Sequence, residues 1–567
     1  MKTDFKKLLS EKEYIENVET INPFQFEFLF NMRNGYTIPL EITFSPLFPS
    51  QLPFVFINKR QHIIPKIPHV MNNGLICFLE REGVIWNNIP ESTLDFVFER
   101  VEKVLIADSP KIEYHREFSY YFGSLQGIHY VFSVFTPSDY PMEISVLTLK
   151  NRPLAFLTEN NESKQVLSRV LNININSRKF DKAFFIPLDL TYNGSVPERD
   201  RFWSNTDIIK LVKEHTTSDT ISKIKDFAIN KNNYYYLLSI PLLTGEKTII
   251  GLWYKKINPS ISKKVVPIID ESVADCFEII PLFIFREDDS SLVERGGGVK
   301  KNINTLLIGC GSVGSDLLFL LARSGIKNFT ILDNDSLNIE NSYRHFLGMN
   351  KSILFKPKVE LLKEEFESRY PNVEIKTLDK DALSVIDKRE INLNDYDLII
   401  VAIGDPNVER KLNEFIVKSS TPAIFTWVEA YGIGGHALMV NNRGKGCYEC
   451  LIDDELNMLS AFAGKSDVPF IKSINGCATS FTPYGSIDSM ETALLASRLV
   501  LRYLNNEING NPLISWRGSS KAFEKSGYQT SERYRQPLDI LMQDTYEYIN
   551  SSCKICSIHP QEALSNA

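Results

Sequence analysis

The stretch TLLIGCGSVGSDLLFLLARSGIKNFTILDND, residues 305–335, decides how the C-terminal half reads. A short apolar run is followed at once by Gly309-x-Gly311-x-x-Gly314, then by helical spacing, then by a second apolar run that ends at Asp333. Strand, turn, helix, strand is a βαβ unit. Gly309 allows the tight turn, Gly311 lets the backbone approach a phosphate, and Gly314 lets the helix pack on the strand. The helix N-terminus then faces the anion. Asp333 lies 24 residues beyond Gly309, where a carboxylate can bond a ribose hydroxyl. These residues specify a nucleotide site and leave a nicotinamide or flavin dinucleotide and ATP both open.

The residues downstream separate the two. DNDSLNIENSYRH (333–345), FKPKVELL (355–362) and AIGDPNVERKLN (402–413) follow in order. They resemble the adenylating domain of the ubiquitin-activating, ThiF and MoeB family, over about residues 295–560. The resemblance implies a Rossmann-like α/β fold that activates a protein's C-terminal carboxylate as an acyl-adenylate. It implies ATP with Mg²⁺ in place of NAD, with Arg344 and Lys358 on the phosphates, Asn341 positioning them and Asp405 holding Mg²⁺. Asp335 joins this set, with capping of the next turn as its other reading. Arg410 accompanies Asp405 in the motif. The family borrows an arginine from a partner protomer, and Arg286 and Arg295 are the candidates here.

Working outward, the chain has 567 residues, 43% apolar and 23% charged. At about 150 residues per domain this predicts three or four domains. The net charge of −7 argues against nucleic acid as a partner. No apolar run reaches the roughly 18 residues of a membrane helix. The charged start MKTDFKKLLSEKEY has no signal-peptide core, so a cytoplasmic protein is expected.

Eight cysteines are too few for a disulfide scaffold of this length. Cys447-x-x-Cys450 and Cys553-x-x-Cys556 lie 103 residues apart. Two such turns complete a tetrahedral structural Zn²⁺ site, with redox dithiols as the alternative. Cys276, alone among apolar residues, reads as a buried inert thiol. Cys477 lies in NGCATSFTPYGSIDSMETALLASR (475–498), before a helix expected from about Ser486. The same family places its thioester-forming cysteine there, and a nearby helix N-terminus lowers a thiol pKa.

The N-terminal block, 1–125, reads as α+β. A helix is expected from Thr3 to about Val18, followed by FQFEFLF (24–30), whose phenylalanines alternate. Asn34-Gly35 predicts a hairpin, YTIPLEITF and FVFI two further strands, and 91–106 a helix with Leu94, Phe98, Val101 and Leu105 on one face. Cys77 sits in IPHVMNNGLICFLEREGVIW (67–86). The proline-rich FSPLFPSQLPFVFI, Pro68-His69, Gly74-x-Ile76-Cys77 and Trp86 resemble the ubiquitin-conjugating fold, which implies that Cys77 carries a thioester. One departure stands out: the family's His-Pro-Asn is Pro-His-Val here, with His69 eight residues before the cysteine. His69 reads as structural rather than as a base, and Asn72 or Asn73 is the available replacement for the missing asparagine.

The middle block, 126–293, alternates apolar strands such as AFFIPLDL, YYYLLSIPLL and TIIGLWY with helical stretches, an α/β domain without a catalytic cluster. The adenylating block then occupies 294–567. A conjugating domain ahead of an activating domain in one chain resembles the ubiquitin-transfer fusion proteins of bacterial antiphage CBASS operons. That implies a relay from adenylate to Cys477 to Cys77 to an acceptor amine, in a homodimer. The modifier implied is a cGAS-like nucleotidyltransferase, joined through its own C-terminus to an acceptor protein. The alternatives are a ubiquitin-like protein as modifier, a sulfur-carrier adenylyltransferase with Cys77 idle, and a non-enzymatic scaffold.

Overall fold

The computed structural model describes residues 4–557 apart from 59–66, 72, 80–82, 107–109, 149–153, 158–160, 176–177, 198–201, 228–232, 258–263, 299–300, 349–355, 371, 442–444, 474–479, 509 and 543–547. The chain divides into two compact units, Met1–Asn160 with Ser177–Arg286, and Asn161–Asn176 with Glu287–Ala567.

The first unit opens with a short helix, α1 (Phe5–Ser10), capped by Asp4, which accepts the N–H of Lys7 at 3.1 Å. The antiparallel meander β1 (Ile15–Asn22), β2 (Gln25–Asn31), β3 (Thr37–Thr43) and β4 (Phe54–Ile57) follows in spatial order β1-β2-β3-β4. The helix expected to run from Thr3 to Val18 therefore stops at Ser10; a turn follows, and its last four residues, Ile15–Val18, open β1. Pairing with β2, Ile15 opposite Phe30, outweighs local helix propensity. In β2 the period-two pattern holds: Phe26, Phe28 and Phe30 are buried. Phe24 is left out of the strand, in the turn before it. The buried face packs under α2 (Pro90–Leu105), where the ring of Phe98 stacks 5.1 Å from Phe30 and meets Phe28 edge-on at 5.6 Å. Two short helices, α3 (Pro110–Arg116) and α4 (Phe118–Gly123), come next.

The rest of this unit is a closed barrel. Its strands are β5 (His129–Ser133), β6 (Met142–Leu147), β7 (Leu154–Leu157), β8 (Phe180–Pro187), β9 (Asn233–Pro241), β10 (Lys247–Lys256) and β11 (Phe277–Arg286), in the order β10-β11-β5-β7-β6-β8-β9. Between β7 and β8 runs α5 (Asn161–Leu171), which belongs to the second unit. Between β8 and β9 run α6 (Asn205–His215) and α7 (Ser218–Asp226). Alternation decides the faces: Phe185 and Leu237 join a cluster of barrel-strand residues with Phe135 just beyond β5, while Phe184 and Leu238 pack with Ile208, Leu211 and Ile224 of the two helices. Cys276 is half-buried, less enclosed than the sequence suggests.

The second unit is a seven-stranded sheet with helices on both faces. In chain order it contains α8 (Asp289–Arg295), β12 (Lys301–Ile308), α9 (Ser312–Arg323), β13 (Ile326–Leu332), α10 (Lys358–Arg369), β14 (Glu374–Leu378), α11 (Ala382–Asp387), β15 (Leu398–Val401), α12 (Pro406–Lys418), β16 (Ala423–Val428) and β17 (Gly434–Val440). The two-residue pair β18 (Lys472–Ser473) and β19 (Ser480–Phe481), α13 (Ser486–Leu504), β20 (Leu513–Arg517), α14 (Lys521–Lys525) and α15 (Leu538–Leu541) complete it. The order is β14-β13-β12-β15-β16-β17-β20, with the first five parallel and β17 antiparallel to both its neighbours. Leu307 and Ile400 face the core beneath α9, α10 and α13, and Leu306, Ile308, Ile399 and Val401 face the core beneath α11 and α12. After β12 the chain builds to one side, then crosses to β15 on the other. That reversal opens a crevice at the carboxyl ends of β12 and β15, the usual place for a ligand in such sheets.

Candidate active site

Three parallel strands end in register at this crevice: Ile308 pairs with Leu332 and with Val401. Each is followed by one of the expected site segments, so the glycine loop, Asp333 and the Gly404–Asp405 loop share one edge. The glycines are required by geometry. Gly309 has φ +91°, and a Cβ there would lie 2.5 Å from the carbonyl oxygen of Ala402. A Cβ on Gly314 would lie 2.0 Å from the carbonyl oxygen of Gly309. Around Gly311 there is open space, and α9 starts there without a side-chain cap. Its first N–H groups are thus available to an anion. This fits a nucleotide phosphate.

Asp333 is half-buried and turned to the loops: its carboxylate accepts the N–H of Cys310 at 2.6 Å and of Asp335 at 2.8 Å. Burial pushes its pKa up, against the pull of Lys358 and these two N–H groups. Lys358, at the start of α10, is only 5% exposed, and its Nζ lies 2.8 Å from Asp335 Oδ2. Its charge is felt at Cys310, Asp333 and His345, which sets it beside the glycine loop. Asp335 thus holds the lysine rather than capping a helix. Arg344 Nη2 donates to Asn341 Oδ1 at 3.3 Å, which joins the two expected phosphate-side residues.

Three residues of this edge escape sequence reasoning. Tyr484 lies under the Arg344 guanidinium, and its hydroxyl is 2.9 Å from Ser312 Oγ at the start of α9. His345 is buried, with Nε2 2.9 Å from the carbonyl oxygen of Cys310 and Nδ1 accepting the N–H of Leu347. A carbonyl only accepts, so Nε2 carries the hydrogen, and burial lowers the pKa to about 4. The neutral imidazole braces the glycine loop. His345 ends the DNDSLNIENSYRH motif; for Tyr484 and Ser312 nothing local in the sequence marks them out.

Asp405 is exposed and caps α12, accepting the N–H groups of Asn407 at 2.9 Å and Val408 at 3.3 Å. One carboxylate oxygen is occupied by these bonds, and its carboxylate is the oxygen-donor type Mg²⁺ takes. Arg410 makes a two-pronged ion pair with Glu449, at 2.9 and 2.7 Å. Arg286 closes β11 in the first unit and Arg295 closes α8 in the second.

The four paired cysteines converge. Cys447 Sγ lies 3.9 Å from Cys553 Sγ, Cys450 Sγ lies 3.4 Å from Cys556 Sγ, and all four sulfurs are within 4.8 Å of one another. Disulfide sulfurs would be about 2.05 Å apart. Zinc–sulfur bonds of about 2.3 Å put tetrahedral thiolates about 3.8 Å apart, so the set fits one zinc ion. Three of the four are buried, and Asn413 Nδ2 donates to Cys447 Sγ at 3.4 Å, the kind of outer bond that orients a ligand.

In the first unit Cys77 is exposed, and its N–H donates to the His69 carbonyl at 2.7 Å. Gly74 is fixed by φ +85° and by the carbonyl oxygen of Ile57, 2.7 Å from where a Cβ would lie. Trp86 Nε1 donates to the carbonyl of Pro49 at 2.9 Å, tying the expected tryptophan to the proline-rich segment. A small cleft holds Cys77 with His69, Met71, Glu117, Tyr120 and Tyr121. His69 Nε2 lies 3.0 Å from Glu113 and Nδ1 3.4 Å from Glu117, so both nitrogens face carboxylates. Burial, then Glu117, raises the Cys77 pKa. Asn73 Oδ1 accepts the N–H of Leu75 at 3.0 Å, a local turn bond; Asn72 lies outside the described residues. Cys477 also lies outside them, between the paired residues of β18 and β19.

Residues 296–514 match the ThiF family. The ATP-dependent ubiquitin transferase-like protein Cap2 of Vibrio cholerae is 24% identical over 514 residues, 81% of this chain and 85% of that protein. The adenylyltransferase and sulfurtransferase MOCS3 of Arabidopsis thaliana is 27% identical over 148 residues, 26% of this chain and 31% of that protein. The NEDD8-activating enzyme E1 catalytic subunit of Schizosaccharomyces pombe is 27% identical over 151 residues, 26% of this chain and 33% of that protein. This chain therefore spans only a third or less of the length of the last two. The fusion-protein resemblance read from the motifs is borne out by the first alignment: the chain carries a ThiF-family domain at residues 296–514 and resembles, over 81% of its length, a bacterial ubiquitin transferase-like protein.

Proposed function

We propose that this protein activates the C-terminus of a partner protein with ATP and passes it through two cysteines to an acceptor amine. The observation that carries the reading is the edge where the glycine loop, Asp333, the Lys358–Asp335 pair and Asp405 meet at three parallel strand ends. The partner's carboxylate oxygen forms a bond to the α-phosphorus of ATP as the bond to pyrophosphate breaks. Charge spreads over the phosphates, and the α9 N-terminus, Lys358 and Arg344 are aimed at it. Asn341 orients Arg344, and Mg²⁺, when held by Asp405, neutralises charge on the phosphates.

The Cys477 thiolate then attacks the acyl-adenylate carbonyl and AMP leaves. Cys77 displaces the Cys477 thiolate, and an amine displaces the Cys77 thiolate, losing its proton. The exposure of Cys77 beside Glu117, His69 and Tyr121 supports that last role. In this reading residues 1–125 are the conjugating domain, 126–293 a docking domain and 294–567 the activating domain with a structural Zn²⁺ at Cys447, Cys450, Cys553 and Cys556. Holding both enzymes in one chain raises the effective concentration of each around the other.

The modifier in this reading is a cGAS-like nucleotidyltransferase of an antiphage operon, with a ubiquitin-like protein as the alternative. The enzyme acts as a homodimer. Ile487, Met490 and Leu494 are exposed three and four residues apart on α13, an apolar face that a second copy would cover. The reaction belongs in the cytoplasm, where thiols stay reduced; no helix among the described residues is long and apolar enough to cross a membrane. ATP–pyrophosphate exchange with the partner tests the activation step. Exchange that requires the partner's last residues supports it, and ATP consumption indifferent to that C-terminus overturns it.

A further inference from the structure

Glu409 is a buried carboxyl that no adenylation step uses. It lies one turn beyond Asp405 on α12 and is 1% exposed. Its two oxygens are engaged on opposite sides. Oε1 accepts the N–H of Gly404 at 2.9 Å, and Oε2 accepts the Tyr448 hydroxyl at 2.6 Å. Gly404, with φ +76°, shapes the loop that presents Asp405. Tyr448 belongs to the Cys447–Cys450 turn, and its N–H donates to Asn413 Oδ1 at 3.2 Å. The same Asn413 donates to Cys447 Sγ at 3.4 Å. An unbroken chain of bonds therefore runs from a cysteine ligand through Asn413, Tyr448 and Glu409 to the loop of Asp405. The Arg410–Glu449 ion pair is a second strut between α12 and the same turn.

Burying a carboxyl is costly unless its bonds are made, so this chain holds its members to one arrangement. Outer bonds of this kind usually alter metal affinity about 10- to 100-fold when removed.

We propose that Glu409 is a positioning residue that ties the Gly404–Asp405 loop to the four-cysteine centre through Tyr448, so that the order of that centre sets the affinity of the nucleotide edge for Mg²⁺-ATP. The proposal rests on the reading of Asp405 as the Mg²⁺ holder. It goes beyond that reading by giving the cysteine centre a part in nucleotide binding. Linkage makes it reciprocal: Mg²⁺-nucleotide must tighten zinc retention by the same factor.

The test uses the full chain. Binding of Mg²⁺ with a non-hydrolysable ATP analogue is measured by calorimetry for wild type, Glu409→Ala, Glu409→Gln, Tyr448→Phe and the Glu409→Ala/Tyr448→Phe double variant. Zinc per chain and melting temperature are recorded for each. The expected result is binding weakened about tenfold in Glu409→Ala, with one zinc retained. Glu409→Gln, which keeps an acceptor for the Gly404 N–H, recovers most of it. Tyr448→Phe weakens binding, and the double variant is no worse than Glu409→Ala, because both break one chain. Zinc loss to a chelator slows when the analogue is bound in wild type and not in Glu409→Ala. Unchanged affinity in folded, zinc-loaded Glu409→Ala, or additive losses in the double variant, overturns the proposal alone. Wild type that fails to bind the analogue overturns the adenylation reading with it.

Discussion

The guanidinium of Arg344 lies 4.8 Å from the ring centre of Tyr484, whose hydroxyl reaches Ser312 at the start of α9. One tyrosine thus spans the two groups that the proposed function assigns to the nucleotide phosphates. A cation–π contact is worth about 0.5–2 kcal/mol. Tyr484→Ala is expected to raise the KM for ATP in pyrophosphate exchange about 3- to 10-fold, with a smaller change in Tyr484→Phe, which keeps the ring. Equal defects in both variants would place the effect in the Ser312 bond instead.

Lys358 is the buried cation of the site, held by Asp335 at 2.8 Å. Removing a preorganised donor from a charged transition state costs about 10²–10³ in rate. Lys358→Ala is expected to lose about 100-fold or more of exchange kcat, and Asp335→Asn, which frees the lysine without removing it, considerably less. Steady-state exchange kinetics at saturating Mg²⁺ checks both.

Asp316 on α9 is nearly buried, and burial pushes its pKa up to about 7. The folded pKa is above the unfolded one near 3.8, so the folded state prefers the protonated form. The stability this contributes is present below about pH 4 and is lost as pH rises through about 7. Asp316→Asn is expected to melt progressively higher relative to wild type between pH 5 and pH 8 in thermal scans. A pH-independent gap between the two would contradict it.

Glu117 raises the Cys77 pKa after burial has already done so. Glu117→Gln is expected to move the pH profile of Cys77 alkylation to lower pH. If Glu117 also takes the amine proton, the same variant slows discharge of a Cys77 thioester onto free lysine while loading continues. Intact-mass alkylation and single-turnover discharge separate the two effects.

What was legible in the sequence is local and backbone-driven. Gly309 is forced by a positive φ, and both it and Gly314 by carbonyl oxygens close to where a Cβ would lie, so the motif alone locates the turn. The cysteine pairs were legible for the same reason, since each turn fixes two sulfurs. Strand β1 was not: seven of its eight residues are wholly or partly exposed, leaving no alternation to oppose the helical reading. Closure of the barrel was hidden as well, because it depends on β11 lying parallel to β5, Leu282 opposite His129. The carboxylates on His69, beside Cys77, come from α3 and the residue before α4. Glu113 meets His69 across 44 residues of chain, beyond any local motif. Glu409 falls within AIGDPNVERKLN, yet only its burial between two loops gives it a role.

The relay is the central claim, and trapping its thioesters tests it most directly. The protein, co-expressed with its genomic neighbours and purified with Mg²⁺-ATP, would be run on a non-reducing gel beside Cys77→Ala and Cys477→Ala, with each adduct identified by mass spectrometry. The expected result is a thiol-sensitive protein adduct that is retained on Cys477 in Cys77→Ala and absent in Cys477→Ala. No adduct in any sample, with ATP–pyrophosphate exchange intact, would contradict it and leave adenylation without thioester transfer.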